Sequence, residues 1–143
     1  MVKRELRDRA LSQIDDDEVI RFLQEVISIP GHKDLPHHEK EVAEFFHDWF
    51  KKEGIESYLQ KVEGERANVI AYIRGSEGDP KLMYNSHIDT KPPYNMSIEP
   101  FKPIIREDKV YGRGSCDAKA SLTSFTFSLV ALKRAGIPLA GDL

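Results

Sequence analysis

The sequence predicts an α/β layered domain in which helices cover a mixed sheet, and three observations predict it. Two apolar stripes at helical spacing open the chain, short β-like runs separated by turn residues fill its middle, and a third helical stripe follows a hairpin pattern. With 143 residues, 40% of them hydrophobic, the chain is long enough for one compact core and too short for two.

The first stripe starts at Asp15, where Val19, Ile20, Phe22, Leu23, Val26 and Ile27 recur at helical spacing. Asp15, Asp16 and Asp17 supply a cap and complement the helix dipole, and Pro30-Gly31 stops the helix. A polar loop to Pro36 leads to the second stripe, Val42, Phe45, Phe46, Trp49 and Phe50, which ends in Lys51-Lys52 and Gly54. Three β-like runs follow, at residues 55–62, 67–74 and 82–88, separated by Glu63-Gly64-Glu65 and by the turn-rich residues 75–80. Residues 103–105 and 110–111 flank Glu107-Asp108-Lys109 and read as a small hairpin. The last helix is expected over residues 118–135, with Leu122, Phe125, Leu129 and Leu132 on one stripe and Gly136 and Pro138 as terminators. A further strand is expected to begin within residues 137–143.

The net charge of −3 and the interleaving of acids with bases argue against a nucleic-acid surface. The single Cys116 excludes an internal disulfide and fits a reducing compartment, so the cytoplasm is the expected location. The basic start has no apolar stretch after it, and no run approaches the length of a membrane span, so neither a signal peptide nor a membrane association is expected.

Two units carry chemistry. In a strand over residues 82–88, side chains alternate, so His87 and Asp89 point to one side at its C-terminal end. One ring nitrogen of such a histidine can bind a metal while the carboxylate holds the proton on the other. Taken alone, His-x-Asp is more often an incidental surface pair. The second unit is Tyr111-Gly112-Arg113-Gly114-Ser115-Cys116-Asp117-Ala118-Lys119, in which Asp117 arrives at the start of the last helix. Its two oxygens could bridge two cations, but in isolation an N-cap explains it as well. A phosphate loop does not fit, because Ala118 precedes Lys119 and Asp117 stands where the dinucleotide fingerprint needs glycine.

In order and spacing, the two units resemble the peptidase M20 family, whose members include aminoacylases, acetylornithine and succinyl-diaminopimelate deacylases, dipeptidases and carboxypeptidases. His87-Ile88-Asp89-Thr90, a proline-rich loop, Glu99-Pro100-Phe101, the hairpin and Gly112-Arg113-Gly114-Ser115-Cys116-Asp117-Ala118-Lys119 carry the likeness, which extends over the chain from about Val19. Ala118 and Ala120 stand where Met and Gly are frequent. The resemblance implies an α/β/α zinc-peptidase-like catalytic domain, of which residues 1–143 form the N-terminal portion, without the dimerisation domain or the C-terminal catalytic half. It implies two zinc ions, with cobalt or manganese as alternatives, and hydrolysis of amide bonds in small N-acyl amino acids or peptides. His87 becomes a ligand of one zinc, Asp117 the carboxylate bridging both, and Asp89 the catalytic-site residue that orients His87. A cis peptide after Asp117 is also implied.

The family's general base and a neighbouring metal ligand are adjacent glutamates after the next strand, and no Glu-Glu pair occurs in these 143 residues. The chain is therefore expected to be inactive alone, with self-association or a complementary C-terminal chain as its partner. The competing reading is a non-catalytic association module. The remaining candidates read as ordinary residues: His37, His38 and His47 solvated, His32 in a loop, Trp49 in the core, Cys116 a small packing residue.

Overall fold

The computed structural model describes residues 2–143. Four helices, α1 (Val2–Leu11), α2 (Asp16–Ser28), α3 (Lys40–Lys52) and α4 (Lys119–Arg134), accompany two antiparallel pairs, β1 (Glu56–Glu63) with β2 (Arg66–Tyr72) and β3 (Ile104–Arg106) with β4 (Lys109–Tyr111). The α/β class expected from the sequence holds.

Local chemistry explains the boundaries. The Asp15 carboxylate accepts hydrogen bonds from the backbone N–H groups of Asp17 and Glu18, which caps α2. Gly54, at φ 66°, lets the chain leave α3 in the left-handed region. The β3–β4 turn is made by Glu107 and Asp108, at φ 52° and 57°, as two-residue hairpin loops require. α3 lies on β1 and β2, α2 packs on α4, and α1 touches α4.

The core gathers Phe22 and Val26 of α2, Val42, Phe46 and Phe50 of α3, and Phe127 and Val130 of α4, with Ile55 at the entry to β1. Phe22 sits at its centre, with ring centroids 4.6 Å from Trp49, 5.4 Å from Phe127 and 5.7 Å from Phe46. Truncating such a ring to alanine costs about 3–5 kcal/mol. Trp49 is half-buried against this cluster, as expected for a core residue.

Three expectations change. Residues 82–88 run without a β-ladder: Leu82, Met83 and Tyr84 are exposed, and the nearest pairing is a single parallel bridge between Pro80 and Asp142. The pattern of a strand is present, but among the described residues no neighbouring strand takes up its backbone groups. α1 was not anticipated, because Val2–Leu11 is mostly charged and offers a thin apolar stripe. In α4 the buried positions are Lys119, Thr123, Thr126, Phe127, Leu129, Val130 and Ala131, whereas Leu122, Phe125 and Leu132 are half-buried. That helix is enclosed on more than one side, so a single stripe described it poorly. No described helix is long and apolar enough to cross a membrane.

Candidate metal centre

The segment leading to His87 keeps the alternation of a strand despite lacking a ladder. Ser86 and Ile88 are half-buried and His87 and Asp89 exposed, with Ile88 packed against the core. Ile88 therefore anchors the backbone while its two neighbours project outward. The buried Thr90 ends the segment, its N–H donating to the Gly31 carbonyl at 2.7 Å and its hydroxyl to the same oxygen at 3.3 Å.

Asp117 arrives on a loop that only small residues permit. A Cβ on Gly114, whose φ is 90°, would stand 2.9 Å from Thr90 Cγ2 and 3.0 Å from Lys119 Cδ. The Lys119 N–H donates to the Gly114 carbonyl at 2.9 Å, and the Arg113 N–H to that of Pro100 at 2.7 Å. The Asp117–Ala118 peptide bond is cis, as the resemblance implied. Ala118 is the N-cap of α4 and no side chain caps the helix, so Asp117 is not the cap that its position alone suggested.

The two units meet. His87 Nε2 lies 2.9 Å from Asp117 Oδ1, while Nδ1 faces both the Asp89 carboxylate at 3.1 Å and the Asp89 backbone carbonyl at 2.9 Å. Each ring nitrogen thus meets oxygens that only accept, an arrangement that favours the doubly protonated ring when no metal is present. Burial opposes that charge, but the hydrogen bond to Asp117, the Asp89 carbonyl and the two carboxylates outweigh it and raise the imidazole pKa. Asp117 is largely open to solvent, its side chain 82% exposed, so its second oxygen is accessible to a further cation.

These donors fit zinc. Nitrogen and oxygen ligands at tetrahedral zinc distances stand roughly 3.3 Å apart, close to the His87–Asp117 separation. The carboxylate on Nδ1 is the partner that fixes a ligating imidazole. Among the described residues no group of three such side chains comes together, so the pair alone offers two donors.

The other candidates take ordinary roles. His37 and Lys40 pair with Glu65 at the surface. His47 is half-buried and shares a 2.9 Å hydrogen bond with Ser57 Oγ, closer to the β1 strand than a simple surface residue. His32 is buried and stacks on Phe101, its ring 5.9 Å away. Cys116 is exposed, so the packing role expected for it is not taken.

Two residues without an assigned role in the sequence stand next to the pair. Thr90 and Lys119 are both buried. Lys119 donates from Nζ to the carbonyls of Val26 and Ile29, each at 2.7 Å. The signal for Lys119, the one charged residue in the first three turns of α4, was present but reads by default as a solvated side chain.

The family model described as Peptidase family M20/M25/M40 matches residues 83–143, the span that contains both units. A peptidase M20 domain-containing protein of Schizosaccharomyces pombe is 34% identical over 131 residues, covering 89% of this chain and 30% of the relative. A protein of Staphylococcus epidermidis named as a succinyl-diaminopimelate desuccinylase is 28% identical over 127 residues, 87% of this chain and 30% of its own. One of Pyrococcus abyssi, named as a LysW-lysine/LysW-ornithine hydrolase, is 35% identical over 121 residues, 82% of this chain and 31% of its own. The chain thus spans less than a third of the length of these curated relatives.

Proposed function

Because this chain belongs to peptidase family M20, we propose that it carries part of a two-zinc centre for hydrolysing the amide bond of N-acyl amino acids or peptides. The observation that supports this most is the approach of His87 Nε2 to Asp117 Oδ1 at 2.9 Å, with Asp89 on the far side of the ring. The names of the relatives, a desuccinylase and a lysine/ornithine hydrolase, favour a small acylated amino acid as substrate.

When bound, zinc supplies the Lewis acidity that polarises an amide carbonyl and acidifies water. His87 would hold a zinc through unprotonated Nε2 while its Nδ1–H donates to Asp89, which fixes the ring in one orientation. Asp117, with one oxygen beside His87 and its side chain open to solvent, would supply the carboxylate shared by the two ions. The single unpaired Cys116 favours a reducing compartment such as the cytoplasm.

His87 and Asp117 furnish two ligands where a working zinc takes three or four from protein. The isolated 143-residue chain is therefore expected to bind zinc weakly and not to turn over. That partial set also favours a second reading, in which the chain acts by association with a complementary segment that brings the missing ligands.

Calorimetric zinc titration tests the ligand assignment. His87→Ala and Asp117→Ala should each weaken whatever binding the wild type shows by about tenfold or more. Unchanged affinity in both variants would remove these residues from the centre. Hydrolysis of N-acyl amino acids appearing only when a complementary segment is added would support the shared site.

A further inference from the structure

His87 and Asp117 are 30 residues apart in sequence, and each is followed within three residues by a buried side chain that reaches the same short stretch of backbone. Behind His87 is Thr90, whose N–H and hydroxyl both donate to the Gly31 carbonyl. Behind Asp117 is Lys119, 1% exposed, whose ammonium donates to the carbonyls of Val26 and Ile29 at the end of α2. The Val26 carbonyl otherwise takes only the cap N–H of Ile29, at 3.3 Å, and the Ile29 carbonyl lies beyond the helix, so a lysine supplies donors and a positive charge suited to a helix C-terminus. Gly114 closes the circuit: a Cβ there would stand 2.9 Å from Thr90 Cγ2 and 3.0 Å from Lys119 Cδ, so no larger residue fits between the two, and its carbonyl accepts from the Lys119 N–H. Val26, Ile29, Gly31, Thr90, Gly114 and Lys119 form a ring of contacts from which the two ligands hang.

We propose that Lys119 is a positioning residue for the metal-ligand pair, setting Asp117 against His87 through the end of α2, with Thr90 as its counterpart on the His87 side. The proposal rests on reading His87 and Asp117 as ligands. Burying a lysine is costly unless its donors find acceptors, and here two carbonyls take two of its three. A methionine would fill the same volume and support the same helix without holding those carbonyls. The reward for the polar contact is register between two loops rather than core packing.

A metal-free measurement tests this. In the isotope-labelled chain, nuclear Overhauser effects between the His87 ring and the Asp117 β-protons are compared across wild type, Lys119→Met and Lys119→Arg. The contact is expected in wild type, lost in Lys119→Met while effects among Phe22, Trp49 and Phe127 persist, and at least partly restored by the donor-bearing Lys119→Arg. Absence of the contact in wild type, or wild-type intensity in Lys119→Met, overturns the proposal. Should Lys119→Met not fold, Thr90→Ala decides in the same way: loss supports the ring, retention overturns it. Zinc titration separates the two layers. No effect of His87→Ala and Asp117→Ala would defeat the ligand reading, whereas about tenfold weaker binding in both, with Lys119→Met unchanged, would defeat positioning alone.

Discussion

Asp89 holds His87 with two oxygens at once, its carboxylate and its own backbone carbonyl, and only the first depends on the side chain. Asp89→Ala should therefore weaken zinc binding by about tenfold rather than abolish it, and Asp89→Asn by less, because a carboxamide oxygen can still accept from Nδ1. Competition against a chromophoric chelator would read both; alanine equal to wild type would mean that the backbone carbonyl orients the ring unaided. The neighbourhood of His87 and Asp89 was legible in the sequence because alternation needs only a period of two, and the segment keeps that period without a ladder. The approach of Asp117 was not legible from periodicity, since its loop is placed by Thr90, Gly31 and Gly114 from distant parts of the chain. The burial of Lys119 escaped for a similar reason: the carbonyls that accept from it lie 93 and 90 residues earlier, at the end of another helix.

At the scale of elements, Arg134 near the end of α4 ties three helices together. It donates to Glu18 in the first turn of α2 at 2.7 and 2.8 Å and to Glu53, the C-cap of α3, at 2.8 and 2.9 Å. The hydrogen bond from Arg134 outweighs burial and lowers the Glu18 pKa below its ordinary 4.5. A carboxyl whose pKa is lowered on folding stabilises the fold fully above its unfolded pKa, and that contribution fades as pH falls through the folded value. Arg134→Ala should cost on the order of 1 kcal/mol at neutral pH, since the groups are partly exposed. It should also lose less stability than wild type on acidification below about pH 4.5. Urea unfolding of both proteins across that range checks this; equal acid sensitivity would show that Glu18 gains nothing from its partner. α2, α3 and the β3–β4 hairpin were readable because capping groups, apolar stripes and turn residues agreed locally. The strand expected over residues 82–88 was not realised because a ladder depends on a partner, which no local pattern reveals.

For the molecule as a whole, that segment leaves Leu82 52% and Met83 77% exposed, with Tyr84 stacked on Phe125 beside them. Extended backbone with unpaired groups and apolar side chains is a template for association. Sedimentation velocity should show concentration-dependent self-association of the isolated chain, reduced in Met83→Lys; a monomer at all concentrations would mean the segment is not adhesive. The aromatic cluster has another consequence. Trp49, the one tryptophan in the sequence, contacts Phe22, Phe45 and Phe127 and carries the Lys52 ammonium 5.2 Å from its ring centroid. Its indole N–H is buried without a partner among the described residues. The chain's single tryptophan, selectively excited near the red edge of protein absorption, thus lies in the helical core, among helices α2, α3 and α4 rather than beside the loops of His87 and Asp117. Its emission reports the loss of the core and separates unfolding from a rearrangement confined to those loops.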